Sequence, residues 1–167
     1  MRRGATKARP RARHRAVRWI RWLPLLMPLL AAAIFVVWDW RREEAADVIV
    51  YRSQSCECCL RWAAHLRDNG LRVYVRTQDH VHLVRERYGV PDRLSSCHTA
   101  RVGGYTVEGH VPAADIRRLL RERPDVAGIA VPDMPIGSPG MEQGDRHDPY
   151  AVLAFDMQGG THVFEEH

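Results

Sequence analysis

Three of the four cysteines fall within four residues, in Cys56-Glu57-Cys58-Cys59. Cys56 and Cys59 form a C-x-x-C pair between a short β-rich run and a helical pattern. At a helix N-terminus, unpaired backbone N–H groups and the helix dipole favour thiolate over thiol. Thiolate is both the nucleophile of disulfide exchange and a soft metal ligand. Exchange needs two sulfurs. Cys58 is a third in the same turn, and three crowded thiols point towards metal. Structural disulfides are the plainer alternative for an exported chain, and four cysteines allow three full pairings. A bond between the neighbours Cys58 and Cys59 would be strained, so a site outweighs staples.

The other soft donors lie downstream. Cys97-His98 precedes a third strand, in the loop that a thioredoxin-like layout packs beside the C-x-x-C. Together they complete a set of thiolates and an imidazole. Such folds usually carry a cis-proline there, and the nearest proline here is Pro91, six residues before Cys97. Met134 and Met141 bracket a loop rich in Pro and Gly. Thioether suits Cu(I) in an oxidising compartment, and core filling is the competing role. His110, in Gly109-His110-Val111-Pro112, is a candidate outer ligand or a loop cap. His65, His80 and His82 fall on helical patterns and read as solvated. His147, His162 and His167 carry no spacing signal.

The elements that must hold these residues follow from periodicity. Val48-Ile49-Val50-Tyr51 reads as a short buried strand. Leu60, Ala63, Ala64 and Leu66 keep helical spacing from Cys59 to Asn69, with Asn69-Gly70 as the stop. Leu71 to Val75 alternates as a second strand. Asp79 can cap a second helix that ends at Gly89. Ala100-Arg101-Val102 and Tyr105-Thr106-Val107 flank Gly103-Gly104 as a hairpin. Pro112 opens a helix that stops before Pro124. The region 124–149 has no periodicity and is too long for an idle connector. Val152 to Phe155 and Thr161 to Phe164 form a last hairpin. The expected fold is α/β: a thioredoxin-like small mixed sheet with flanking helices, and a C-terminal β-hairpin extension.

The chain has 167 residues, a net charge of +5, 46% hydrophobic and 27% charged residues. Those fractions exclude wholesale disorder, and the length exceeds that of a disulfide-dense mini-protein. Nine of the 25 basic residues, and none of the acidic ones, fall in residues 1–21. The remaining 16 basic residues face all 20 acidic ones, a net of −4. A nucleic-acid partner needs a basic face on the folded body, so none is expected. Trp22 to Trp38 is an uncharged apolar run of 17 residues with tryptophans at both ends. It is expected to be a transmembrane helix with the basic tail in the cytoplasm. A cleaved signal at Ala31-Ala32-Ala33 is the alternative. Both place the body outside the bacterial inner membrane. The expected organisation is a basic tail (1–21), an anchor or signal (22–40), a linker (41–47) and a metal-binding domain (48–167).

Cys56-x-Cys58-Cys59, Cys97-His98-Thr99, Gly109-His110-Val111-Pro112, the segment from Met134 to Met141 and Asp148-Pro149-Tyr150 occur in the order found in the CopG-like family, also described as a domain of unknown function 411. The resemblance covers roughly Val48 to Glu165 and leaves out the tail and the apolar run. It implies a thioredoxin-like, periplasmic protein linked to copper resistance. It implies that Cys56, Cys58, Cys59 and Cys97 bind Cu(I) or cycle between metal-bound thiolates and disulfides. One departure is Glu57, where the family often has glycine. Its charge is expected to favour a bound cation.

The first expectation is therefore an anchored binding protein. It captures Cu(I) through Cys56, Cys58, Cys59 and Cys97, assisted by His98, with Met134 or Met141 as a weaker transfer site. Zinc is the competing metal, because four thiolates also suit a tetrahedral ion. Other periplasmic copper carriers or efflux components are the expected protein partners. The second expectation is a thiol–disulfide or copper oxidoreductase, in which Cys56 or Cys59 attacks and the other resolves. The third is a tethered structural domain with incidental thiols.

Overall fold

The computed structural model describes residues 23–167, so the basic tail and Trp22 lie outside the described residues. The chain divides into a unit ending at Arg41 and a compact unit, 42–167. Helix α1, Leu23–Glu44, carries Pro28 inside it. It continues past the apolar run through Asp39, Arg41, Arg42, Glu43 and Glu44, so residues expected as a linker are helical. Among the described residues, no helix is long and apolar enough to cross a membrane. The expected transmembrane helix is to that extent corrected, because the described part of the element ends in a charged turn.

The compact unit is a mixed α/β fold. Its strands are β1 (Val48–Arg52), β2 (Val73–Thr77), β3 (His98–Val102), β4 (Tyr105–Gly109), β5 (Gly128–Val131), β6 (Ala151–Phe155) and β7 (Thr161–Glu166). They form one sheet in the order β2-β1-β3-β4-β5-β6-β7. β1 pairs with β2 and β4 with β5 in parallel, and the other pairs are antiparallel. Three helices connect them: α2 (Glu57–Asp68), α3 (Val81–Arg87) and α4 (Ala113–Glu122). The C-terminal hairpin is not a separate extension. It continues the same sheet, because β5 bridges β4 to β6.

The sequence pattern hides β5. All four of its residues are buried. A strand covered on both faces has no alternation to read. Ile129 and Val131 enter the main core, and Ala130 enters a smaller cluster with Val90, Leu94 and Phe155. The main core joins Trp62 and Leu66 of α2 and Ile116 and Leu119 of α4 to Val48, Val50, Ala100 and Val107 of the sheet. Asp79 does not cap α3, whose N-cap is His80.

Sheet direction decides where the chemistry gathers. Arg52 at the end of β1 pairs with His98 at the start of β3, and Thr99 pairs with Glu108 near the end of β4. The segment after β5 leaves from the same end, because β5 runs parallel to β4. Cys56, Cys97, His110 and the Met134 to Met141 loop therefore all issue from one end of the sheet.

Candidate metal centre

Cys56 is the N-cap of α2, and Cys58 and Cys59 lie in its first turn. The helix thus begins two residues before the expected Cys59. The Arg52 guanidinium holds the approach: Nη1 donates to the carbonyls of Ser53, Gln54 and Cys56 at 2.8, 3.1 and 2.8 Å. Cys56 and Cys59 form a disulfide with their Cα atoms 5.5 Å apart, and Cys58 and Cys97 are free thiols. Cys58 Sγ lies 3.5 Å from Cys56 Sγ and 3.8 Å from Cys97 Sγ. All four sulfurs lie within 4.8 Å of one another.

Cys97 also belongs to a second group, with His98 and His110. Its Sγ lies 3.3 Å from His98 Nδ1 and 3.1 Å from His110 Nε2. His110 Nδ1 donates to the Pro139 carbonyl at 2.7 Å, so the lone pair of the neutral ring sits on Nε2, facing Cys97. An imidazole fixed through one nitrogen with the other free is the usual arrangement of a metal ligand. His98 is the first residue of β3, not a loop residue, and is fully buried against Trp62, with ring centroids 4.3 Å apart. Burial holds both histidines below the ordinary imidazole pKa, and His110 adds to the shift at His98. Both are therefore neutral and able to ligate at neutral pH.

Burial, followed by the neighbouring Cys58, pushes the Cys97 thiol up to about 12. Burial likewise pushes Tyr51 and Tyr150 up to about 12. A cation binding at Cys97 must displace this proton, so loading releases acid. The same shifts set an alkaline limit on stability. The three groups stay protonated in the folded chain where the unfolded chain ionises. Stability that is intact below about pH 9 is lost as pH rises towards 12. Urea unfolding should give a lower midpoint at pH 11 than at pH 8, with the same slope.

The Met134 to Met141 loop reaches the cluster through its backbone. Arg61 Nε donates to the Gly140 carbonyl at 2.9 Å. Gly140 has φ +84°, and a Cβ there would meet Trp62 N at 2.7 Å and Cys58 O at 3.0 Å. Only glycine allows this approach to α2. Gly140→Ala is expected to destabilise by more than about 1 kcal/mol, read by chemical denaturation. Met134 is 38% exposed and has φ +49°, and Met141 is half-buried. Met141 directly follows the contact point, and Met134 lies six residues before it.

The remaining histidines divide. His65, expected as solvated, is half-buried and accepts from the Ala113 N–H through Nε2 at 3.2 Å. His80 and His82 are exposed, with ring centroids 5.6 Å apart. His167 Nε2 lies 2.8 Å from an Asp115 carboxylate oxygen. No cis peptide bond occurs among the described residues. Arg52, Trp62, Pro139 and Gly140 gave no sequence signal as site residues, because each acts through its backbone or a buried contact.

A family model described as "Protein of unknown function, DUF411" matches residues 94–141. That segment holds Cys97, His98, His110, Met134 and Met141. None of the curated proteins matches the chain. Two solved structures do, described as "Copper resistance protein copG- Form 2" and "Copper resistance protein copG- Form 1". Each is 48% identical with a TM-score of 0.69. The match covers 72% of this chain and 96% and 95% of theirs.

Proposed function

Because the chain belongs to the CopG-like, DUF411 family, we propose that it handles copper, binding Cu(I) at Cys56, Cys58, Cys59 and Cys97. The observation that carries this reading is the gathering of four sulfurs within 4.8 Å. Soft thiolates select Cu(I) over hard cations. His98 and His110 share the sulfur of Cys97 and extend the donor set on the sheet side. Met134 and Met141 serve as a weaker site through which the metal arrives or leaves. The fold reading that accompanies it is a thioredoxin-like core, β1 to β4 with α2, α3 and α4, widened by β5, β6 and β7.

The body is proposed to work outside the bacterial inner membrane, in the periplasm, in copper resistance or homeostasis. That placement rests on the basic tail and the apolar run of residues 22–38, part of which lies outside the described residues. Protein partners are then other periplasmic copper carriers or efflux components.

Anaerobic Cu(I) titration of the reduced full chain, with zinc in excess, tests the binding. The reading expects a stoichiometric Cu(I) complex that zinc does not displace. Displacement by zinc overturns it, since four thiolates then serve a tetrahedral zinc ion.

The Cys56–Cys59 disulfide at the start of α2 supports a redox reading of the same site. Two thiols and two Cu(II) ions yield one disulfide, two Cu(I) ions and two protons. The pair would then act as a thiol–disulfide or copper oxidoreductase, with one sulfur attacking and the other resolving.

A further inference from the structure

We propose that Glu108 is the positioning residue of Cys97: its buried carboxylate, backed by Arg85, clamps the peptide that leads into the thiol and so fixes the point where the two donor groups meet.

Glu108 lies in β4 and is completely buried. Its Oε1 accepts from Arg85 Nε at 2.9 Å and from the Ser96 backbone N–H at 2.7 Å. Its Oε2 accepts from the Thr99 hydroxyl at 2.6 Å. Arg85 Nη2 in turn donates to the Ser96 carbonyl at 2.6 Å. Both backbone polar groups of Ser96 are therefore held by one ion pair, and the next residue is Cys97. On the other side of Cys97, Thr99 ties the start of β3 to the same carboxylate.

A buried charge persists only when it is paired and hydrogen-bonded. Glu108 has a cation and two further donors, so the fold places a costly group here and gives each carboxylate oxygen a partner. Hydrophobic packing alone could hold two neighbouring strands. It could not set a loop peptide to a fraction of an ångström, as a fork of charge-assisted bonds does. The geometry of β4 fits this role. Glu108 and His110 are two residues apart and both reach towards the Ser96-Cys97 step. Gly109 between them has φ +72°, and a Cβ there would meet the Val131 carbonyl at 2.3 Å and Ser96 Oγ at 2.7 Å. One strand end thus supplies both the clamp on the peptide before Cys97 and the imidazole that faces its sulfur.

The test reads Cys97 in metal-free, full-length protein. The rate of alkylation by iodoacetamide is measured separately for Cys97 and Cys58 by peptide mass mapping. Glu108→Gln keeps the shape and removes the charge that holds Arg85. It is expected to change the Cys97 rate at least about fivefold and the Cys58 rate less than twofold. Thr99→Val loosens the same carboxylate more gently and should shift Cys97 in the same direction by less, which keeps the test open if Glu108→Gln does not fold. Leu119→Ala, a core change on α4, is the control for lost stability and should leave the ratio of the two rates unchanged. An unchanged Cys97 rate in Glu108→Gln, or in Thr99→Val if that is the variant that folds, overturns the proposal. So does an equal change in the Leu119→Ala control.

The copper consequence rests on the proposed function. If Cys97 is a ligand, Glu108→Gln lowers Cu(I) affinity by about 10- to 100-fold, as loss of outer-shell support does elsewhere. Failure of wild-type protein to bind Cu(I) would remove that reading and leave the alkylation result standing.

Discussion

Replacing Cys97 by serine should weaken Cu(I) binding by at least about 100-fold, since losing outer support of a ligand already costs 10- to 100-fold. The expectation follows from where the sulfur sits. Cys56, Cys58 and Cys59 belong to one turn at the start of α2. Cys97 comes from the other side, at the entrance to β3, and its sulfur belongs to both donor groups. Removing it separates the thiol turn from His98 and His110. A hydroxyl in its place is a hard donor and does not substitute for thiolate. Competition with a colorimetric Cu(I) chelator under anaerobic conditions measures the change. Met134→Leu, by contrast, should leave affinity within a few-fold and slow only the exchange of metal with the chelator. An equal loss in both variants would show that Met134 is a primary ligand and not a transfer site.

The largest effect on stability should come from Trp62→Ala. The indole is fully buried in the main core, and Nε1–H donates to the Val111 carbonyl at 2.8 Å. Truncating a buried tryptophan costs about 3–5 kcal/mol, and orphaning a buried carbonyl adds about 1–3 kcal/mol. That sum approaches the whole stability of many domains. Trp62→Phe keeps most of the volume and loses the hydrogen bond, so it should cost about 1–3 kcal/mol. The ring also lies against His98. The alanine variant should therefore lose order at His98 as well as stability, which the imidazole NMR signals would report. Urea unfolding of the three proteins should rank them wild type, Trp62→Phe, Trp62→Ala.

Much of this was legible in the residues. The C-x-x-C turn between a strand and a helix was clear from a β-branched run, then Ser53-Gln54-Ser55, then helical spacing. The meeting of Cys97 with that turn followed from the layout, and the Sγ to Sγ distance of 3.8 Å bears it out. What stayed hidden has a common cause. Periodicity reports which face of an element is covered, so it missed β5, which is covered on both. It also placed His98 in a loop, because a fully buried polar residue at a strand end breaks the pattern. Spacing reports nothing on which distant backbones touch. Gly140 against α2, Arg52 on three carbonyls and Glu108 on Ser96 are long-range or backbone contacts of this sort. The charged end of α1 is visible in the sequence, yet its polar residues have the composition of a linker, while the helix continues through Glu44.

The central claim is that soft sulfur donors from two parts of the chain hold one copper site. X-ray absorption at the copper edge, on reduced full-length protein loaded with Cu(I) without oxygen, tests it most directly. The account predicts a first shell dominated by sulfur that loses sulfur amplitude in Cys97→Ser. A shell of nitrogen and oxygen alone, or a sulfur shell unaltered in Cys97→Ser, would contradict it.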